Sequence, residues 1–122
     1  MTEILLVGLG GGIGAMLRYA ISSLPVRTLF PVLTLAVNLL GAFIIGLVTG
    51  FLETRADPPV WVSPLLKTGL CGGFTTFSTF SLETVTLWRG GHPGLSALYA
   101  VCSVAVCAAG VVLGRAVTRR AL

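Results

Sequence analysis

The sequence predicts an all-α membrane protein: a single domain, residues 1–122, of four transmembrane helices with the third broken in mid-membrane. Three observations predict it. Only 8 Lys and Arg and 4 Asp and Glu occur among 122 residues, or 10%, where soluble domains carry about 25%. Mean hydropathy is +0.99. Charge-poor runs recur four times along the chain, each near the roughly 20 apolar residues that cross a bilayer. A soluble globule this small exposes most of its residues and could not clothe itself with so few charges. Disorder requires low hydrophobicity and high charge, so it is excluded as well.

The first span covers about residues 4–24 and contains one charge, Arg18. The preceding Met1-Thr2-Glu3 is acidic, and no small-residue cleavage site follows. A retained helix is therefore expected rather than a secretory signal. Gly10-Gly11-Gly12-Ile13-Gly14-Ala15 formally matches a dinucleotide fingerprint. That motif also needs a βαβ unit and an acid about 20 positions later, and no acid lies between Glu3 and Glu53. The match is a false positive.

The second span, about residues 32–52, starts after Pro31. Thr34 and Asn38 are four apart and share a helix face. Polar groups inside a span are candidates for function. Asn38 offers amide donors and a carbonyl acceptor, and interhelical hydrogen bonding is the structural alternative.

The third span, about residues 60–88, is the least ordinary. Gly72-Gly73 precede five hydroxyl residues within positions 75–81, a poor recipe for continuous helix. A break is expected near Gly72–Ser78. Irregular backbone at that depth survives only inside protein or along a cavity, and its freed carbonyls can hold a desolvated cation. Phe74, Phe77 and Phe80 recur every three residues. Such a stripe ordinarily packs a core, but the interleaved hydroxyls make the flanking faces polar. A phenyl ring has a positive edge, which can receive a small anion without the grip of a full charge. Conduction needs that balance between entry and release.

The fourth span, about residues 94–117, carries Ser96, Tyr99, Ser103, Cys107, Gly110 and Gly114 at steps of three and four. That face either lines a polar path or packs on a neighbour. Leu24-Pro25, Asp57-Pro58-Pro59 and Gly90 to Gly94 are loop chemistry between the spans. The loops are short, so consecutive helices run antiparallel. Each span also holds a glycine pair four residues apart, Gly10/Gly14, Gly46/Gly50, Gly69/Gly73 and Gly110/Gly114. Such pairs let backbones approach closely in lipid.

Other features limit function. The formal net charge of +4 is spread over single basic residues, with only Arg115, Arg119 and Arg120 clustered. No basic face for nucleic acid exists; the tail instead reads as an anchor at the membrane surface. Cys71, Cys102 and Cys107 have no metal-ligand spacing, His92 has no catalytic partner, and no nucleophile–base pair can be assembled. The chain is not expected to be an enzyme. Arg55, Lys67, Arg115, Arg119 and Arg120 fall on one side of the membrane and Arg18, Arg27 and Arg89 on the other. Orientation depends on an excess of Lys and Arg on one side, and this excess is small. Insertion both ways as an antiparallel homodimer, and a fixed orientation set by the small excess, both remain open.

At these residues the chain resembles the CrcB/Fluc family of small fluoride channels. Gly11-Gly12-Ile13-Gly14-Ala15-x-x-Arg18-Tyr19, Asn38-x-x-Gly41 and Gly69-x-x-Gly72-Gly73-Phe74-Thr75-Thr76-Phe77-Ser78-Thr79-Phe80 carry the likeness, which covers essentially the whole chain. The resemblance implies a passive, fluoride-selective channel in the cell membrane, multi-pass, that relieves fluoride toxicity. It implies an antiparallel, dual-topology homodimer with two pores. By position it places Asn38, Phe77, Phe80, Thr79, Tyr99 and Ser103 along the fluoride pore. It gives the backbone carbonyls of Gly72 and Thr75 to a structural sodium ion at the dimer interface, and sets Arg18 and Glu83 near the vestibules. The implied partners are fluoride, the bilayer and a second copy, with no nucleic acid. The alternative is a small four-helix proton-coupled exporter of organic cations, which needs a carboxylate deep in the bilayer. A non-transporting scaffold would give no ion flux.

Overall fold

The computed structural model describes all 122 residues, and every regular element in it is helical. Helices α1 (Thr2–Ser22), α2 (Val32–Thr54) and α5 (Pro93–Ala121) are long and apolar enough to cross a membrane. The third segment is divided. A π-wound stretch, Ser63–Cys71, continues into one turn, α3 (Gly72–Phe74). Thr75 and Thr76 are then extended, with φ/ψ of −79/157° and −146/114°, before α4 (Phe77–Arg89) begins.

Local chemistry sets the ends. Pro93 opens α5, where its missing N–H costs nothing and its fixed φ suits the helix. Gly91 has a φ of 87°, a left-handed conformation that glycine adopts without strain. It turns α4 into α5, and the His92 amide donates to the Leu87 carbonyl at 2.9 Å.

Consecutive segments are not the tightest neighbours. The four glycine pairs fall into two seams, α1 against the third segment and α2 against α5. A methyl group on Gly10 would lie 2.8 Å from the Leu70 nitrogen, and one on Gly14 would lie 2.7 Å from the Phe74 nitrogen. In the second seam, a methyl on Gly46 would lie 3.1 Å from the Gly114 Cα, and one on Gly50 would lie 2.9 Å from the Thr118 Cβ. Register advances in the same direction along both partners, so each seam joins parallel helices. Lipid tails are as apolar as side chains, so close van der Waals packing has to hold these helices together. Thr118 Oγ1 closes the second seam by donating to Leu47 O at 3.0 Å and Gly114 O at 3.2 Å.

Only 19 residues are buried within the single chain. Leu5, Val101, Val104 and Val112 are each at least 65% exposed, an apolar surface suited to lipid or to another protein rather than water.

Candidate functional site

The interruption at Thr75–Thr76 is held open by side chains that take over helical hydrogen bonds. In a continuous helix the Thr76 amide would donate to the Gly72 carbonyl. Here it donates to Asn38 Oδ1 at 2.7 Å, and Asn38 Nδ2 donates back to the Thr76 carbonyl at 3.0 Å. The Thr79 amide, which would have reached Thr75 O, donates instead to Thr76 Oγ1 at 3.2 Å. Thr76 is thus the N-cap of α4, a role its hydroxyl suits. The Gly72 and Thr75 carbonyls are left without a donor from this chain, while Arg18 Nε donates to the Gly73 carbonyl at 3.2 Å. One asparagine from α2 therefore fixes the shape of the third segment.

Beside the interruption lies an open-sided groove of about 290 Å³. Asn38, Thr75, Thr76, Phe77, Phe80, Ser103 and Cys107 line it, with no acidic residue among the lining side chains. The Phe77 and Phe80 rings are 5.5 Å apart at 44°, and Phe77 is 79% exposed. Asn38 Nδ2 has two N–H groups, one of which holds Thr76, leaving a second donor. Ser103 Oγ is buried and has no hydrogen-bond partner. The groove thus gathers phenyl rings and uncommitted donors from α2, α4 and α5. Replacing Ser103 by Ala removes an unpaired hydroxyl. Thermal stability is therefore expected to hold or rise, because a buried polar group without a partner is a cost to the fold, and melting of parent and variant would read it.

Thr79 and Glu83 line a second cavity of about 610 Å³, together with Thr34, Thr86 and His92. A polar node stands at this second cavity. Glu83 Oε1 accepts from Thr34 Oγ1 and Oε2 accepts from the Tyr99 hydroxyl, both at 2.7 Å. Tyr99 is fully buried and lines neither cavity. Its ring packs 5.3 Å from Phe80 and edge-on to Phe30 at 5.4 Å, forming one aromatic ladder from Phe77 to Phe30.

The structure therefore brings Asn38, Phe77, Phe80 and Ser103 to one groove and Thr79 and Glu83 to the other cavity. Gly72 and Thr75 lie at the interruption with free carbonyls, and Arg18 lies beside them. Residue-level reasoning missed the pairing of Thr34 with Glu83. Its signal was the shared face of Thr34 and Asn38, but nothing in a linear pattern says which acid a threonine meets.

Residues 5–115 match the family model described as CrcB-like protein, Camphor Resistance (CrcB). Curated relatives extend over almost the whole length. A "Fluoride-specific ion channel FluC" of Ruminiclostridium cellulolyticum is 47% identical over 119 residues, 94% of this chain and 91% of the relative. Proteins of the same description from Rhodopseudomonas palustris and Rhizobium leguminosarum bv. trifolii are each 42% identical. The alignments cover 94% and 98% of this chain, and 95% and 98% of those relatives.

Proposed function

From this chain's place in the CrcB-like family, to which it belongs, we infer that it is a fluoride-specific ion channel of the cell membrane and not an enzyme. Its several apolar helices fit a multi-pass membrane protein. The observation that carries the reading is the groove in which Asn38, Phe77, Phe80 and Ser103 converge without a charged side chain. Fluoride holds its hydration water tightly, and a pore must replace that water in steps without trapping the ion. The second Asn38 N–H, the Ser103 hydroxyl and the ring edges replace it at the groove, and Thr79 does so at the second cavity. The ion then leaves down its gradient with no coupling to ATP or protons.

The groove is open along one side, so one chain cannot enclose a path. The functional unit is an antiparallel homodimer with two pores, spanning the membrane through about residues 4–24, 32–52, 60–88 and 94–117 of each chain. The interrupted third segment lies in mid-membrane. Exposed Phe77, Leu82 and Val85 of α4 supply apolar surface for the partner, and the small charge bias suits a chain inserted in both directions.

The free carbonyls of Gly72 and Thr75 are hard oxygen donors, the kind that unwound helices give to sodium. They would hold a structural sodium ion, which supplies a fixed positive charge against carbonyl dipoles that have no N–H partner.

Purified protein in liposomes, followed with a fluoride electrode, should release trapped fluoride and leave chloride inside. Phe77→Ile and Phe80→Ile keep bulk but remove the positive edge, and each should lower fluoride flux by about tenfold, the effect of 1.4 kcal/mol on a barrier. Equal chloride release would overturn the selectivity. Unaltered flux in both variants would remove the phenyl edges from the mechanism. Proton-driven uptake of an organic cation would favour the exporter, though no acid lines the groove for such a cycle.

A further inference from the structure

Where α2 and α5 end, a charge cluster stands apart from the pathway. Glu53 accepts from Arg115 Nη2 at 2.6 Å through Oε1 and from Arg119 Nη2 at 2.7 Å through Oε2. The two arginines are four apart on α5 and share a face. Each guanidinium carries five N–H donors and meets Glu53 through a single nitrogen, so most donors stay uncommitted. Arg115 and Arg119 side chains are 39% and 56% exposed. The Arg55 guanidinium lies 4.6 Å from the Phe51 ring centre and pairs with no carboxylate, and Arg120 is exposed. A cavity of about 400 Å³ opens between the helix ends, lined by Thr54, Arg55, Ala56, Asp57 and Leu122. Two guanidiniums thus share Glu53, and a third, that of Arg55, lines the cavity with Asp57.

Depth favours one ligand. The 29 residues of α5, at 1.5 Å each, extend about 43 Å, well beyond the roughly 30 Å of hydrocarbon. The Arg115–Arg120 turn therefore emerges at the level of lipid headgroups. Val112, one turn below Arg115 on the same face, is 69% exposed and offers an acyl chain an apolar bed.

We propose that this cluster binds the phosphodiester headgroup of an anionic phospholipid. Arg115 and Arg119 present their remaining N–H groups, with Arg55 at the cavity, in the forked geometry that arginine uses for phosphate oxygens. Glu53 occupies one nitrogen of each α5 guanidinium and so competes with the phosphate for them. In an antiparallel pair each leaflet receives one such site. The proposal rests on membrane insertion of the chain and not on what the pore conducts.

The test is native mass spectrometry of the full-length protein in mild detergent with equal phosphatidylglycerol and phosphatidylcholine. Retention of phosphatidylglycerol should exceed that of phosphatidylcholine. It should fall about fivefold for each guanidinium lost in Arg115→Gln/Arg119→Gln, the weight of one surface cation at an anionic leaflet. Arg55→Gln, which disturbs no ion pair, should lower it similarly and keeps the test decisive if the double variant misfolds. Glu53→Gln should raise retention. A cluster that merely clasps two helices would instead loosen and retain less lipid. Equal retention of the two lipids, unchanged retention in the arginine variants, or displacement by millimolar inorganic phosphate would overturn the proposal. No flux is read, so failure here and failure of the fluoride reading are separate results.

Discussion

Vesicles carrying Asn38→Ala should lose at least about nine-tenths of their fluoride flux, the cost of one hydrogen bond to a charged group of about 1.5 kcal/mol or more. The variant also deprives the Thr76 peptide of both its partners, at 2.7 and 3.0 Å. An unsatisfied buried peptide group costs about 1–3 kcal/mol, so the Thr76 amide is driven back toward the Gly72 carbonyl and the interruption tends to close. Asn38→Asp separates the two roles. The carboxylate still accepts from the Thr76 amide, preserving that hold on the break, but it supplies no donor and places a negative charge in an anion path. Its flux should fall further than that of Asn38→Ala, because a carboxylate oxygen then faces the Thr76 carbonyl in place of the Nδ2 donor. Parental flux in Asn38→Ala, from a preparation with normal elution in size exclusion, would remove Asn38 from the pathway.

Gly46→Val should yield no monodisperse protein at all. The added carbon would overlap the backbone of Val111 on α5 and sit 3.1 Å from the Gly114 Cα. Backbone cannot rotate away as a long side chain can, so the seam has to open along its length. Overpacking of an ordinary core costs about 1–3 kcal/mol, and here several close contacts fail together. Gly73→Val should behave alike, because Gly11 Cα would stand 2.8 Å from its Cβ. Gly8→Ala and Gly12→Ala make the contrast. Neither Cβ meets anything within 4 Å, and alanine favours helix by about 1 kcal/mol over glycine. Both should match or exceed the parent in melting temperature. Fluorescence-detected size exclusion would read all four variants, and a sharp peak from Gly46→Val would contradict the seam.

Sequence and structure meet unevenly. The glycine pairs were legible one by one, because a four-residue spacing on a helix needs no tertiary information. Their partners were not. Short loops make consecutive helices antiparallel but do not say which pairs pack most closely, and the seams join α1 to the third segment and α2 to α5. Two hydroxyl-rich stripes were likewise visible, with Ser103 in one and Thr79 in the other. Only the folded chain shows that Ser103 shares a groove with Thr75 and Thr76 while Thr79 lines another cavity, and that the Tyr99 hydroxyl is spent on Glu83. The aromatic spacing Phe74, Phe77, Phe80 was plain, but Phe74 is buried while Phe77 is exposed. The extended pair Thr75–Thr76 shifts the helical phase between them, which a fixed periodicity cannot register.

What the sequence by itself determined was the solvent, the helical class and the family. Each follows from local quantities: scarce charge, long apolar runs, and a specific string of glycine, phenylalanine and hydroxyl residues. The tertiary structure alone decided how the polar atoms are spent. An amide or a carboxylate can meet any of several partners, and its choice depends on distances between segments that are remote in the chain. Asn38 reaches Thr76 across 38 positions and Thr34 reaches Glu83 across 49. Those two choices open the backbone at one end of the candidate path and occupy the only carboxylate along the other.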